Sequence, residues 1–125
     1  MRRPIIAGNW KMYKTVSETI RFMEEFKPFV ENARHCDIVL APAFTALGEA
    51  VRAAKGTSIL VASQDVFWEK EGAFTGEISA PMIADLGCRF AIIGHSERRQ
   101  LFGETDEHVN QKIRTTLDAG LTPLV

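Results

Sequence analysis

Apolar residues in this chain gather in short unbroken runs instead of alternating with polar ones. Ile5-Ile6-Ala7, Ile38-Val39-Leu40-Ala41, Ile59-Leu60-Val61-Ala62 and Phe90-Ala91-Ile92-Ile93 are four such runs. Leu121 to Val125 opens a fifth. Continuous runs of this kind predict strands buried on both faces, as in parallel sheets. Most of the spacings between run starts are roughly thirty residues, the size of a strand–helix–strand unit.

Between the runs, apolar positions recur at helical spacing. Thr15-Val16-Ser17-Glu18 fits a capping box, in which hydroxyl and carboxylate each accept from the other residue's backbone amide. Val16, Ile20, Met23 and Phe26 or Lys27 then follow on one face. Pro28 is expected to kink or shorten this helix. A shorter helix is expected over 46–55, stopped by Gly56. Ser79 caps a third and Gly87 stops it. Ser96 to Gln100 reads as a short helix after His95. Thr105 caps the last helix, Val109, Ile113 and Leu117 form its apolar stripe, and Gly120 ends it. Alternation of strands and helices implies an α/β fold with a parallel sheet and right-handed crossovers. No linker or low-complexity tract divides residues 1–125, which are read as a single partial domain. Residues 65–78 form a long connection containing Phe67, Trp68 and Phe74. Unstructured loops of that length are uncommon and usually functional, and this one is expected to pack against something, another subunit included.

Composition narrows the function classes. Fifteen Lys+Arg against sixteen Asp+Glu give a net charge of −1, which argues against a nucleic-acid footprint. A hydrophobic share of 46% with 25% charged residues fits an ordinary folded domain. Two cysteines, Cys36 and Cys88, cannot build a disulfide framework. That points to a reducing, cytoplasmic setting. No run approaches the ~20 apolar residues of a membrane helix. The apolar run after Arg2-Arg3 is too short for an export signal. The chain stops inside its fifth strand, which leaves an exposed sheet edge and suggests a piece of something longer.

In α/β architectures ligands sit at the C-terminal ends of parallel strands. The residues there are Asn9 and Lys11, then Phe44 and Thr45, then Gln64 and Asp65, then His95, Ser96 and Glu97. Lys11 is either an anion binder or a surface lysine at a strand end. His95 is either a proton-shuttling, hydrogen-bond-donating imidazole or a structural cap. The positive end of a helix would favour its neutral form. His35 and His108 read as structural, and both cysteines as buried small apolar residues. Arg98 and Arg99 read as ion-pair partners of Glu104 or Asp106 before phosphate ligands. His95-Ser96-Glu97 matches half of a zinc-deaminase signature, but the P-C-x-x-C half is missing. No metal site is expected.

Three motifs in order then point to a family. Gly8-Asn9-Trp10-Lys11-Met12, Ala73-Phe74-Thr75-Gly76-Glu77-Ile78-Ser79 and Ile92-Ile93-Gly94-His95-Ser96-Glu97-Arg98-Arg99 resemble the triosephosphate isomerases across the whole chain. The resemblance implies an eight-stranded (β/α)₈ barrel of about 250 residues. This chain would supply its N-terminal half, four strand–helix units and the start of the fifth strand, with the C-terminal half absent. It implies interconversion of dihydroxyacetone phosphate and glyceraldehyde 3-phosphate through an enediolate, in glycolysis and gluconeogenesis, without metal or organic cofactor. Asn9, Lys11 and Ser96 would line the substrate site, with Lys11 offsetting phosphate and enediolate charge. His95 would act as the neutral electrophile, and a histidine kept neutral by a helix N-terminus is this family's own known arrangement. Glu97 would orient Lys11. Thr75, with Phe74 and Gly76, would reach into a partner subunit near that subunit's Asn9, making a homodimer the expected assembly. The family's general-base glutamate, its lid and its phosphate-gripping amides lie in the second half. The chain alone is therefore expected to be inactive. A half-barrel interaction module without chemistry is the competing reading, and a different phosphosugar barrel enzyme is a third.

Overall fold

The computed structural model describes residues 1–125. Its contacts group into two compact units, Met1–Gln64 and Asp65–Val125.

In the first unit, β1 (Ile5–Asn9), α1 (Val16–Val30), β2 (Asp37–Ala41), α2 (Phe44–Ala54) and β3 (Ile59–Ser63) alternate. β1 pairs parallel with β2 in the register Ile5–Asp37 to Asn9–Ala41, and β2 pairs parallel with β3 from Ile38–Ile59 to Leu40–Val61. β2 and β3 are almost wholly buried, as continuous apolar runs require. β1 departs from that expectation: Ile5 and Ile6 remain exposed. Its one backbone pairing within this unit is with β2, so sheet contacts shield it less than they shield β2.

The capping box at α1 forms in both directions. Glu18 N–H donates to Thr15 Oγ1, and Thr15 N–H donates to Glu18 Oε2 at 2.7 Å. The Thr15 amide, first among several causes, holds the Glu18 carboxyl below its ordinary 4.5. α1 runs through Pro28 to Val30, so the expected shortening does not occur. Two residues remain beyond the proline, close to the helix end, where few intrahelical bonds are left to lose. The buried positions of α1 are Thr19 and Met23, not Val16 and Ile20, which are exposed. Thr19 tolerates burial because its hydroxyl donates to Thr15 O at 2.8 Å. α2 starts at Phe44, two residues earlier than the sequence suggests, because Ala43 at its N-cap offers no side-chain acceptor to mark the start.

In the second unit, α3 (Ala80–Leu86), β4 (Phe90–Ile92), α4 (Ser96–Phe102), α5 (Asp106–Asp118) and β5 (Thr122–Leu124) follow one another. β4 and β5 pair parallel, Phe90 opposite Thr122. Ser79 caps α3, and Gly87 ends it in the left-handed conformation at φ +98°. α5 begins at Thr105 with a box closed by His108, whose Nδ1 accepts the Thr105 N–H. Its buried residues are Val109, Lys112, Thr115 and Thr116, while Leu117 is exposed. The apolar stripe is therefore displaced, and a lysine takes a core position.

That lysine explains the displacement. Lys112 Nζ lies 2.8 Å from Asp65 Oδ1 and also contacts Glu104. Arg98 Nε lies 3.1 Å from Asp65 and 3.4 Å from Glu104. Two carboxylates and two cations balance, which makes the burial of Glu104 and Lys112 tolerable. Both arginines are ion-paired, as expected: Arg98 with Glu104 and also with Asp65, and Arg99 with Asp106. Glu104 is buried. Both cysteines are buried, and burial pushes the Cys88 thiol up to about 11, so it stays neutral and unreactive at neutral pH.

The connection from 65 to 78 is folded, not slack. Phe67 N–H donates to Ile78 O at 2.8 Å, and Phe67 bridges Ser79. The Phe67 ring packs at a tilt against those of Trp68 and Phe74, with centroids at 4.2 and 4.7 Å. Trp68 in turn stacks on His108 of α5 at 5.0 Å.

Candidate active site

The first unit places Asn9 at the last position of β1 and Lys11 two residues on. Asn9 Oδ1 accepts the Lys11 N–H at 2.9 Å. This local bond fits the left-handed backbone of Lys11, whose φ is +51°. Trp10 N–H donates to Ala41 O at the end of β2. Asn9 and Lys11 are thus brought together at the strand end that sequence reasoning singles out.

The second unit places His95 at the N-cap of α4, directly after Gly94, whose φ is +70°. His95 Nδ1 accepts the Glu97 N–H at 3.1 Å. The Arg98 and Arg99 amides both donate to His95 O. Arg99 Nε donates to Gly94 O. Backbone and ring are therefore fixed together. With Nδ1 committed as an acceptor, a neutral ring carries its hydrogen on Nε2. The Glu97 carboxylate lies 3.6 Å from Nδ1, and Ser96 is the first, exposed residue of α4. His95, Ser96 and Glu97 form one cluster.

Phe74, Thr75 and Gly76 sit at the exposed tip of the long connection. Glu77 N–H donates to Phe74 O at 3.0 Å, closing a turn with Gly76 at φ +93°. A turn of this type needs positive φ at its third position, which glycine supplies without strain.

A family model for triosephosphate isomerase matches residues 4–125. The chain belongs to the triosephosphate isomerase family. It is 58% identical to the triosephosphate isomerase of Solibacter usitatus over 125 residues, covering all of this chain and 50% of that protein. It is 56% identical to that of Geotalea uraniireducens, over 99% of this chain and 49% of that protein. The crystal structure of triosephosphate isomerase from Bartonella henselae superimposes with a TM-score of 0.91 at 34% identity. That match covers 98% of this chain and 50% of the other. The chain thus spans about half the length of the relatives it matches, and its fold is the N-terminal half of a (β/α)₈ barrel. No helix is long and apolar enough to cross a membrane.

Two residues in these clusters carry more than the sequence indicated. Gln64 stands at a strand end like the others, but nothing local assigns it a task; its side-chain amide reaches Lys11 O and Ala41 O. Lys112 is not singled out by the sequence, and only its partners Asp65 and Glu104 reveal it as buried.

Proposed function

We propose that residues 1–125 carry the electrophilic half of a triosephosphate isomerase active site. The observation that carries this reading is His95: it follows a parallel strand with Nδ1 tied to the Glu97 amide, in a chain whose residues 4–125 match that family. The reaction moves a proton between adjacent carbons of a phosphorylated triose. A carboxylate base takes it from the carbon beside the carbonyl, and negative charge develops on the substrate oxygen. His95 Nε2–H donates to that oxygen, and protons pass between the two substrate oxygens through it. The Lys11 ammonium offsets enediolate and phosphate charge, which is worth most where water is excluded. Asn9 and Ser96 contact substrate, and Glu97 orients Lys11. The base, the lid and the phosphate-gripping amides belong to the second half of the barrel, so these residues alone do not turn over triose phosphate. The complete protein works in the cytoplasm, in glycolysis and gluconeogenesis, as a homodimer. Its loop tip, Phe74-Thr75-Gly76, inserts into the partner near the partner's own site.

A coupled isomerase assay tests this. The 125-residue chain is assayed alone and after mixing with the second half of a relative's barrel. Silence alone and activity on mixing is the expected result. In the mixture His95→Gln should lower kcat by roughly 10²–10³-fold, the usual loss on removing such a donor. Undiminished activity in the variant would overturn the role of His95. Activity of the chain alone would show that the second-half base is dispensable, and silence in both cases would favour an assembly module.

A further inference from the structure

Two rigid peptide planes flank His95, and together they set where its Cα–Cβ bond points. The plane after it is held by α4, because the Arg98 and Arg99 amides both donate to His95 O, at 2.9 and 3.1 Å. The plane before it begins at the carbonyl of Gly94, a residue with no side chain of its own to restrain it and with φ at +70°. A side chain meets that carbonyl instead: Arg99 Nε donates to Gly94 O at 3.3 Å. The same guanidinium lies over the bare face of Gly94, where a Cβ would come within 3.6 Å of Arg99 Nη2. Its other edge reaches Asp106, with Nη1 at 2.8 Å from Oδ1. The Asp106 side chain is 95% exposed, so that ion pair by itself adds little.

One arginine therefore closes the gap that the helix leaves in the restraint of His95. We infer that Arg99 is a positioning residue that acts through its Nε–H: it fixes the Gly94–His95 peptide and thereby aims the imidazole. The inference rests on the proposed role of His95. A misplacement of about 1 Å in a catalytic group can cost about a hundredfold in rate, so a restraint on the backbone next to that group matters to turnover. The guanidinium suits the task because its donors are fixed in one plane, so the bond to Asp106 also orients the Nε–H toward Gly94 O.

The test separates the donor from the charge. Counted outward from Cα, the fourth side-chain atom is Nε in arginine, the amide nitrogen in glutamine and a methylene carbon in lysine. Arg99→Gln thus keeps an N–H at that atom and loses the charge, whereas Arg99→Lys keeps the charge and loses that N–H. At mildly alkaline pH, 15N NMR of the 125-residue chain reports the His95 tautomer, since bare and protonated ring nitrogens resonate far apart. The unmutated chain and Arg99→Gln should both show a bare Nδ1 and a protonated Nε2. Arg99→Lys should show the two tautomers mixing as the ring loosens. In the mixture with a second half-barrel, Arg99→Gln should keep kcat within about threefold. Arg99→Lys should lower kcat and kcat/KM together by about 10–100-fold, as loss of a transition-state interaction does. The reverse order, with lysine intact and glutamine impaired, would overturn the inference and leave Arg99 as an ion-pair partner of Asp106. Equal loss in both variants, or no change in either, would overturn it as well. Should Arg99→Lys fail to fold, Arg99→Met, which has neither donor nor charge, is read against Arg99→Gln in its place. If the unmutated mixture is silent, the isomerase reading fails, while the tautomer pattern still decides whether Arg99 Nε holds His95.

Discussion

Gly94 shows how a single position joins backbone strain to chemistry. Its φ is +70°, and a Cβ built there would lie 2.9 Å from Val109 Cγ2 on α5. Gly94→Ala would combine left-handed strain with a clash one residue before His95. It should cost about 1–3 kcal/mol, read as a lowered urea midpoint with unchanged slope. A loss of a few tenths would show that Val109 yields and that the glycine is there for another reason. Gly94-His95 is legible in the sequence as a strand-end motif. The reason for glycine is not, because Val109 comes from fifteen residues further on. Thr15 and Glu18 are the opposite case. Their partners lie three residues apart, so the capping box can be read directly from the residue types.

Helix α5 carries the same lesson at the scale of an element. Helical periodicity marks Val109 and Leu117 as one face, yet the buried set is Val109, Lys112, Thr115 and Thr116. The helix is rotated because Lys112, only 5% exposed in its side chain, reaches Asp65 and Glu104. Replacing Lys112 by methionine keeps the volume and removes the charge. Glu104, 3% exposed, would keep only Arg98 as its cation. Breaking a buried pair by removing one partner costs about 3–5 kcal/mol. Thermal unfolding of Lys112→Met should show a loss of that size. Lys112→Met with Glu104→Gln should recover part of it, since the uncompensated charge is then gone. Equal stability of Lys112→Met and the unmutated chain would mean that the quartet is solvated in solution.

For the molecule as a whole, the governing fact is that residues 1–125 span about half the length of their relatives. Ile5 and Ile6 on β1 stay exposed although their sequence reads as a buried strand. A second half-barrel that pairs with β1 would bury them and stabilise the chain by mass action. The Tm of the chain should therefore rise with the concentration of added second half. Ile6→Lys should weaken that rise more than it lowers the Tm of the chain alone. A Tm indifferent to the second half would show that the two do not associate. Local sequence sufficed for the order of strands and helices and for most of the caps, which rest on apolar periodicity or on partners within four residues; the family motifs rest instead on resemblance to known sequences. Long-range packing alone settles which face of α1 and α5 is buried, why Lys112 sits among core residues, and that the Gln64 side chain donates to Lys11 O. Those outcomes depend on contacts between residues far apart in the chain, where a local pattern carries no record of the partner.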